Sequence, residues 1–266
     1  MTRTEADKRP LLETRLRTRR AGNRKLLVPY VTAGVVGDWV SLVAEMAAVG
    51  ADAIEIGLPF SDPMLEGVTI QEASQRALDQ GMTTDRALDA IAELDLDVPL
   101  VVMTYSNLIR RRGPAEFCRR LAESGVSGVI PVDTPVDEAQ PLVDAARSAE
   151  IETVLIAAPS TSSERIAQIA ELGSGFVYAS TVMGTTGERA ELGEQAAALA
   201  RRVRESTDRP VLLGFGISGP RTALEAARHA DGVVMGAALM RRVLEGQTMD
   251  EVAGLVGQVR SALDAG

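Results

Sequence analysis

The sequence predicts an α/β fold: a single (β/α)8 TIM barrel over residues 1–266, with one extra helix before the first strand and another in the loop after the second. Three observations carry this reading. Short apolar runs alternate with helical patterns from end to end, and strands that alternate with helices build a parallel sheet. Eight such runs occur, at Leu26–Val31, Ala53–Gly57, Leu100–Thr104, Gly128–Val132, Thr153–Ala157, Phe176–Ala179, Val211–Gly214 and Gly232–Met235. The chain has 266 residues, 45% hydrophobic and 24% charged, a globular balance at the length of a one-domain barrel. A doubly wound open sheet is the alternative, but no G-x-G-x-x-G follows the first run.

Taken in order, Leu11, Leu12 and Leu16 form the apolar stripe of a short helix that caps the bottom of the barrel, with Arg15, Arg19 and Arg20 solvated. Helical patterns then fall at Trp39–Ala48, Pro114–Ser124, Val136–Ala149, Ser163–Leu172, Glu194–Ser206 and Pro220–Ala230. Pro114 and Pro220 suit first-turn positions, and Gly50, Gly125 and Gly173 suit helix ends. Residues 64–94 are more than one helix needs, which places the extra helix at Ile70–Asp79.

The second run is the one the chemistry turns on. Alternation puts Ile54 and Ile56 against covering helices and Ala53, Glu55 and Gly57 on the interior face. An inward carboxylate is costly unless it is paired or chemical. The run breaks into Leu58-Pro59-Phe60-Ser61-Asp62-Pro63, a rigid loop at the C-terminal end of a barrel strand, where barrels mount their active sites. Ser180–Arg189 after the sixth strand is polar, glycine-punctuated and long enough for a lid. Gly214-Phe215-Gly216-Ile217-Ser218 and Gly236-Ala237-Ala238 follow the last two strands, where barrels commonly hold a phosphate on backbone N–H groups.

What is missing narrows the chemistry. The net charge of −9 disfavours nucleic acid and anionic membrane as partners. Cys118 is the only cysteine, so no internal disulfide forms, and a reducing, cytoplasmic setting fits; between Phe117 and Arg119 it reads as a small core residue. Lys8 and Lys25 are the only lysines, and neither ends a strand, which argues against a Schiff-base lyase. His229 is the only histidine, at a helix end, so there is no histidine cluster for a metal. The carboxylates Glu55, Asp62, Glu66 and Asp133 remain, with Tyr178 as a phenol. Acid–base catalysis without metal or iminium needs a substrate that supplies its own electron sink, and no cofactor is expected.

From Val28-Pro29-Tyr30-Val31-Thr32-Ala33-Gly34 to Gly232-Val233-Val234-Met235-Gly236 the sequence resembles the tryptophan synthase α subunit family. Its most specific stretch is Glu55–Pro63 followed by Gly67 and Thr69-Ile70-Gln71. Tyr105-Ser106-Asn107, Asp133-Thr134-Pro135, Gly184-Thr185-Thr186-Gly187 and Gly214–Ser218 follow in order. The resemblance implies retro-aldol cleavage of indole-3-glycerol phosphate to indole and glyceraldehyde 3-phosphate, with indole as the sink. It implies Glu55 as general acid and base, and Glu66 at the position of a second carboxylate that engages the indole N–H. Tyr178 matches the tyrosine beside the catalytic glutamate. Tyr30, Asp62, Tyr105 and Phe215 match substrate-binding positions, Thr186 the mobile loop, and Gly187, Gly216, Gly236 and Ala237 the phosphate loops. The implied partner is a tryptophan synthase β subunit. A free-standing indole-releasing lyase and a weakly catalytic scaffold that activates a β-type partner are the other readings. The chain departs from the family where Glu66 stands for aspartate, Val68 for proline, Ala237 for serine and Val35-Val36 for Asp-Pro. Leu108–Gly113 is also unusually basic.

Overall fold

The computed structural model describes residues 11–180, 189–214 and 216–266, with the side chains of 189–193 left aside. A helix, α1 (Leu12–Ala21), precedes β1 (Leu26–Thr32). The chain continues through α2 (Trp39–Ala48), β2 (Ile54–Gly57), α3 (Val68–Asp79), α4 (Thr84–Ala92), β3 (Leu100–Thr104), α5 (Ser106–Arg112), α6 (Pro114–Glu123) and β4 (Gly128–Pro131). A 3-10 turn at Val136–Glu138 leads into α7 (Gln140–Ser148), β5 (Glu152–Thr153), β6 (Ile156–Ala157), α8 (Ser163–Leu172) and β7 (Val177–Ser180). Then come α9 (Arg189–Ser206), β8 (Val211–Gly214), α10 (Pro220–Ala227), β9 (Gly232–Met235), α11 (Ala237–Leu244) and α12 (Met249–Ala265).

All strand pairings are parallel, in the order β5-β4-β3-β2-β1-β9-β8-β7-β6. The two outermost strands are neighbours in sequence, separated only by Val154 and Leu155. Those two residues carry the pairing across: Val154 N donates to Val129 O (2.9 Å), and Leu155 O accepts from Tyr178 N (3.2 Å). The sheet is thus the expected eight-strand barrel, with its fifth strand broken into two short halves.

The expected elements are present with shifted ends. The pattern over Val136–Ala149 divides because Pro141 has no N–H to give, so the α-helix starts afresh at Gln140. The last helical pattern before β9 stops at Ala227 and leaves His229 exposed. The extra helix after β2 begins at Val68, two residues before Ile70. Helix starts are set by side chains: Asp38, Thr83 and Ser162 each accept a first-turn N–H, and Thr248 with Glu251 closes a capping box.

The alternation along the strands sorts two cores. Ile54, Ile56, Leu100 and Val102 face outward into the layer of helices, with buried Cys118 among them. Val28, Ala53, Val101, Ile130, Val154, Phe176, Leu212 and Val234 fill the interior, and Leu12 and Leu16 of α1 plug it from below. That packed floor leaves only the C-terminal ends of the strands for chemistry. Asp52 ties the lower rim together, accepting from Leu27 N (2.9 Å), Arg24 Nε (3.0 Å) and Arg260 (3.2 Å). No helix among the described residues is long and apolar enough to cross a membrane.

Candidate active site

Glu55 lies on the interior face of β2, where alternation puts it. In the parallel register its neighbours are Tyr30 on β1 and Val101 on β3. It is 1% exposed, and neither carboxyl oxygen has a hydrogen-bond partner among the described residues. Burial, and then the charge of Glu66, push its pKa up to about 8. At neutral pH this side chain therefore holds its proton.

Tyr30 and Tyr178 sit at the barrel's upper end beside it. Tyr30 is buried and hydrogen-bonds Thr32 Oγ1 at 3.0 Å. Its ring lies where a side chain at position 57 would be, since a Cβ on Gly57 would come 2.0 Å from the Tyr30 hydroxyl. Gly214 gives Tyr178 the same room, its Cβ position lying 2.3 Å from that hydroxyl. Burial, and after it the two glutamates, hold the Tyr178 phenol well above its ordinary range, so it stays a proton donor. Burial and Glu66 raise the Tyr30 phenol likewise.

Glu66 comes from the loop after β2 and is half-buried. It lines a cavity with Tyr30, Gly57, Phe60, Met103 and Tyr105. Desolvation raises its pKa to about 7. Between the two carboxyls, Glu66 ionises first, and its charge keeps the proton on Glu55.

Asp133 drops out of the carboxylate set. Its Oδ1 accepts from Ser106 N (2.7 Å) and Ser106 Oγ (2.8 Å), so it caps α5 from the neighbouring loop. Asp62 stands exposed and accepts from Ser61 Oγ at 2.6 Å. At the far side, Gly236 precedes α11, Ala237 is the helix's first residue, and Gly216 has φ 71°. N–H groups of a helix's first turn lack i−4 acceptors. Leu239 N turns to Gly236 O at 2.9 Å, and the N–H groups of Ala237 and Ala238 stand at the helix tip beside Tyr30, whose Cβ is 3.4 Å from where a Gly236 Cβ would sit. Thr186, Gly187 and Phe215, and most of the expected lid, lie outside the described residues.

The structure thus brings together Glu55, Glu66, Tyr30, Tyr105 and Tyr178. Sequence reasoning missed Thr32 and Gln71. Thr32 was readable, since a period of two puts it on the face of Tyr30; Gln71 enters through loop contacts that no local pattern encodes.

A family profile described as Tryptophan synthase alpha chain matches residues 16–261. The tryptophan synthase alpha chain of Halobacterium salinarum is 43% identical, covering 86% of this chain and 86% of its own. That of Streptomyces avermitilis is 41% identical, covering 92% and 89%. Among solved structures, Mycobacterium tuberculosis tryptophan synthase superposes with a TM-score of 0.87 at 34% identity, over 97% of this chain and 100% of that one. The Legionella pneumophila alpha chain gives 0.86 at 30%, over 95% and 97%. The chain belongs to the tryptophan synthase alpha chain family, carbon–carbon lyases of tryptophan biosynthesis that cleave indole-3-glycerol phosphate to indole and glyceraldehyde 3-phosphate.

Proposed function

We propose that Glu55 acts as both acid and base in this cleavage, that Glu66 stabilises the charge developing on the ring nitrogen, and that a tryptophan synthase β subunit receives the indole. The observation that supports it best is the setting of Glu55: inward, buried and without a hydrogen-bond partner among the described residues, which raises its pKa to about 8. Cleavage needs one proton delivered to indole C3 and one removed from the side-chain hydroxyl next to it. Glu55 begins as the acid and gives its proton to C3. The ring becomes an electron-poor indoleninium, with positive charge on nitrogen. Glu55, now a carboxylate, takes the hydroxyl proton as the C–C bond breaks and its electron pair returns to the ring. The residue ends protonated, as it began. Glu66, ionised, faces the N–H and stabilises a charge that exists mainly in the transition state. Tyr178, Tyr30, Tyr105, Asp62 and Phe215 shape the substrate pocket, and Thr186 belongs to the lid.

The phosphate binds on backbone N–H groups at Gly216, Gly236, Ala237 and Gly187, without a lysine. Ala237→Ser adds a hydroxyl donor at the first residue of α11. It should tighten phosphate binding by about 0.5–1.5 kcal/mol, read as a lower Kd for glycerol phosphate by calorimetry.

The same two pKa values set the pH test. Glu66 must be ionised and Glu55 protonated, so kcat/KM should rise through pH about 7 and fall through about 8. Glu66→Ala should remove the acid limb, lower turnover by about 10²–10³-fold and move the alkaline limb to lower pH, because the charge that held the Glu55 proton is gone. Glu66→Asp should retain activity or raise it. The readout is indole release by the purified chain, with and without a β subunit. Parental rate and pH profile in both variants would overturn the Glu66 role, and no indole from the parent in either arm would overturn the function. A parental rate unchanged by the β subunit would favour the free-standing lyase.

A further inference from the structure

The part of the loop that carries Glu66 has no buried apolar side chain next to it. Met64, Leu65 and Val68 around it are 80%, 54% and 74% exposed. Yet a carboxyl that faces one ring nitrogen has to keep one position, because a misplacement of about 1 Å can reduce a rate on the order of a hundredfold. Hydrogen bonds, with one ring stack, hold the loop instead. Glu66 N donates to Pro63 O at 3.0 Å, closing a turn. The Gln71 side chain grips both ends of that turn: its Nε2 donates to Glu66 O at 2.9 Å and to Pro63 O at 3.4 Å. Both acceptors are carbonyls, so only the NH2 end of the amide can face them. Tyr105 holds the loop from the other side. Its hydroxyl accepts from Leu65 N at 3.3 Å, and its ring stacks on Phe60 with centroids 4.8 Å apart. The helix from which Gln71 reaches is itself fixed, because Arg241 on α11 donates to Thr69 Oγ1 and pairs with Glu72 at 3.6 Å.

We propose that Gln71 is a positioning residue for the lyase reaction: its amide clasps the Pro63–Glu66 turn from the first turn of α3 and so sets where the Glu66 carboxyl stands. The inference rests on the Glu66 role given above. Gln71 itself is exposed and fills no core position, so losing it removes the clasp and little else.

The test is a double-mutant cycle on indole release. Gln71→Met keeps the length and helix preference of the side chain and deletes the amide. It should lower kcat about tenfold or more, with KM changed less than threefold, and shift the acid limb of the pH profile. In the Glu66→Ala background the same change should cost less than twofold. Gln75→Met, one turn further along the same exposed face, should match the parent and controls for helix damage. Parental kcat in Gln71→Met, beside a loss in Glu66→Ala, would overturn the clasp and leave the Glu66 role standing. Equal losses in both backgrounds would show Gln71 acting independently of Glu66 and also overturn it. Parental rates in both single variants would overturn the Glu66 role and the clasp together.

Discussion

Glu55→Gln should lower indole release by about 10²–10⁴-fold, at the upper end because one residue is assigned both proton transfers. The amide keeps the shape of the side chain and can neither give nor take the proton. Among the described residues none beside it takes over both transfers: Val101 flanks it on one side, the phenols of Tyr30 and Tyr178 hold their protons well above the neutral range, and Glu66 is assigned to the ring nitrogen. The same substitution should stabilise the fold on the alkaline side. Glu55 binds its proton with a pKa near 8 when folded and near 4.5 when unfolded. A raised folded pKa stabilises below the unfolded value and loses that contribution as pH rises through the folded one. The parent should therefore weaken between pH about 5 and 8, while the glutamine variant does not pay that ionisation cost. Melting curves at pH 5 and pH 8.5 read the difference, which should widen with pH in favour of Glu55→Gln. A variant with parental turnover and a native melting curve would end the assignment.

Gly232→Ala should destabilise the protein by about 3 kcal/mol, the upper part of the range for overpacking. The added Cβ would lie 2.3 Å from the carbonyl oxygen of Leu26 and 2.5 Å from its Cβ. At Gly57 and Gly214 the obstacle is a tyrosine ring, which can swing at the expense of the site. At Gly232 it is the backbone of the adjacent strand, paired in register with position 232 itself. Neither strand can move without opening the β1–β9 ladder. A urea titration should show a lower midpoint with an unchanged slope; a midpoint equal to the parent's would show that the joint gives way freely.

The strands, their facing and Glu55 were legible because a period of two, apolar outward and small or chemical inward, is local to each strand. The floor was legible from the leucines of the first helix, but only Leu12 and Leu16 pack into the barrel; Leu11 precedes α1 and is exposed. Arg15, Arg19 and Arg20, read as solvated, are half-buried and pair with Asp97, Asp52 and Asp231. Other features depend on partners far away in sequence. The break at Val154–Leu155 reflects where β4 and β7 meet the fifth strand, and nothing in Thr153–Ala157 announces it. Asp133 looked like a spare carboxylate, yet its oxygen serves Ser106, 27 residues away. Gln71 entered only within the Thr69-Ile70-Gln71 stretch of the resemblance, with no role of its own, since its acceptors are main-chain carbonyls of the preceding loop. Side-chain pattern records which face is buried. It does not record which loop carbonyl will need a donor.

The Leu26–Gly232 pairing also governs the order in which the molecule can assemble. Most neighbouring strands are joined by a few tens of residues, but β1 and β9 come together across about two hundred. Closing a flexible loop of that length costs about 5 kcal/mol of chain entropy, against about 3 for the segment between β2 and β3. The logarithm makes the penalty modest, yet nothing local repays it until both strands are in place. The least costly route lays the strands down in sequence and shuts the ring last, with β9 against β1. A bare glycine at that joint keeps the final docking step free of collisions.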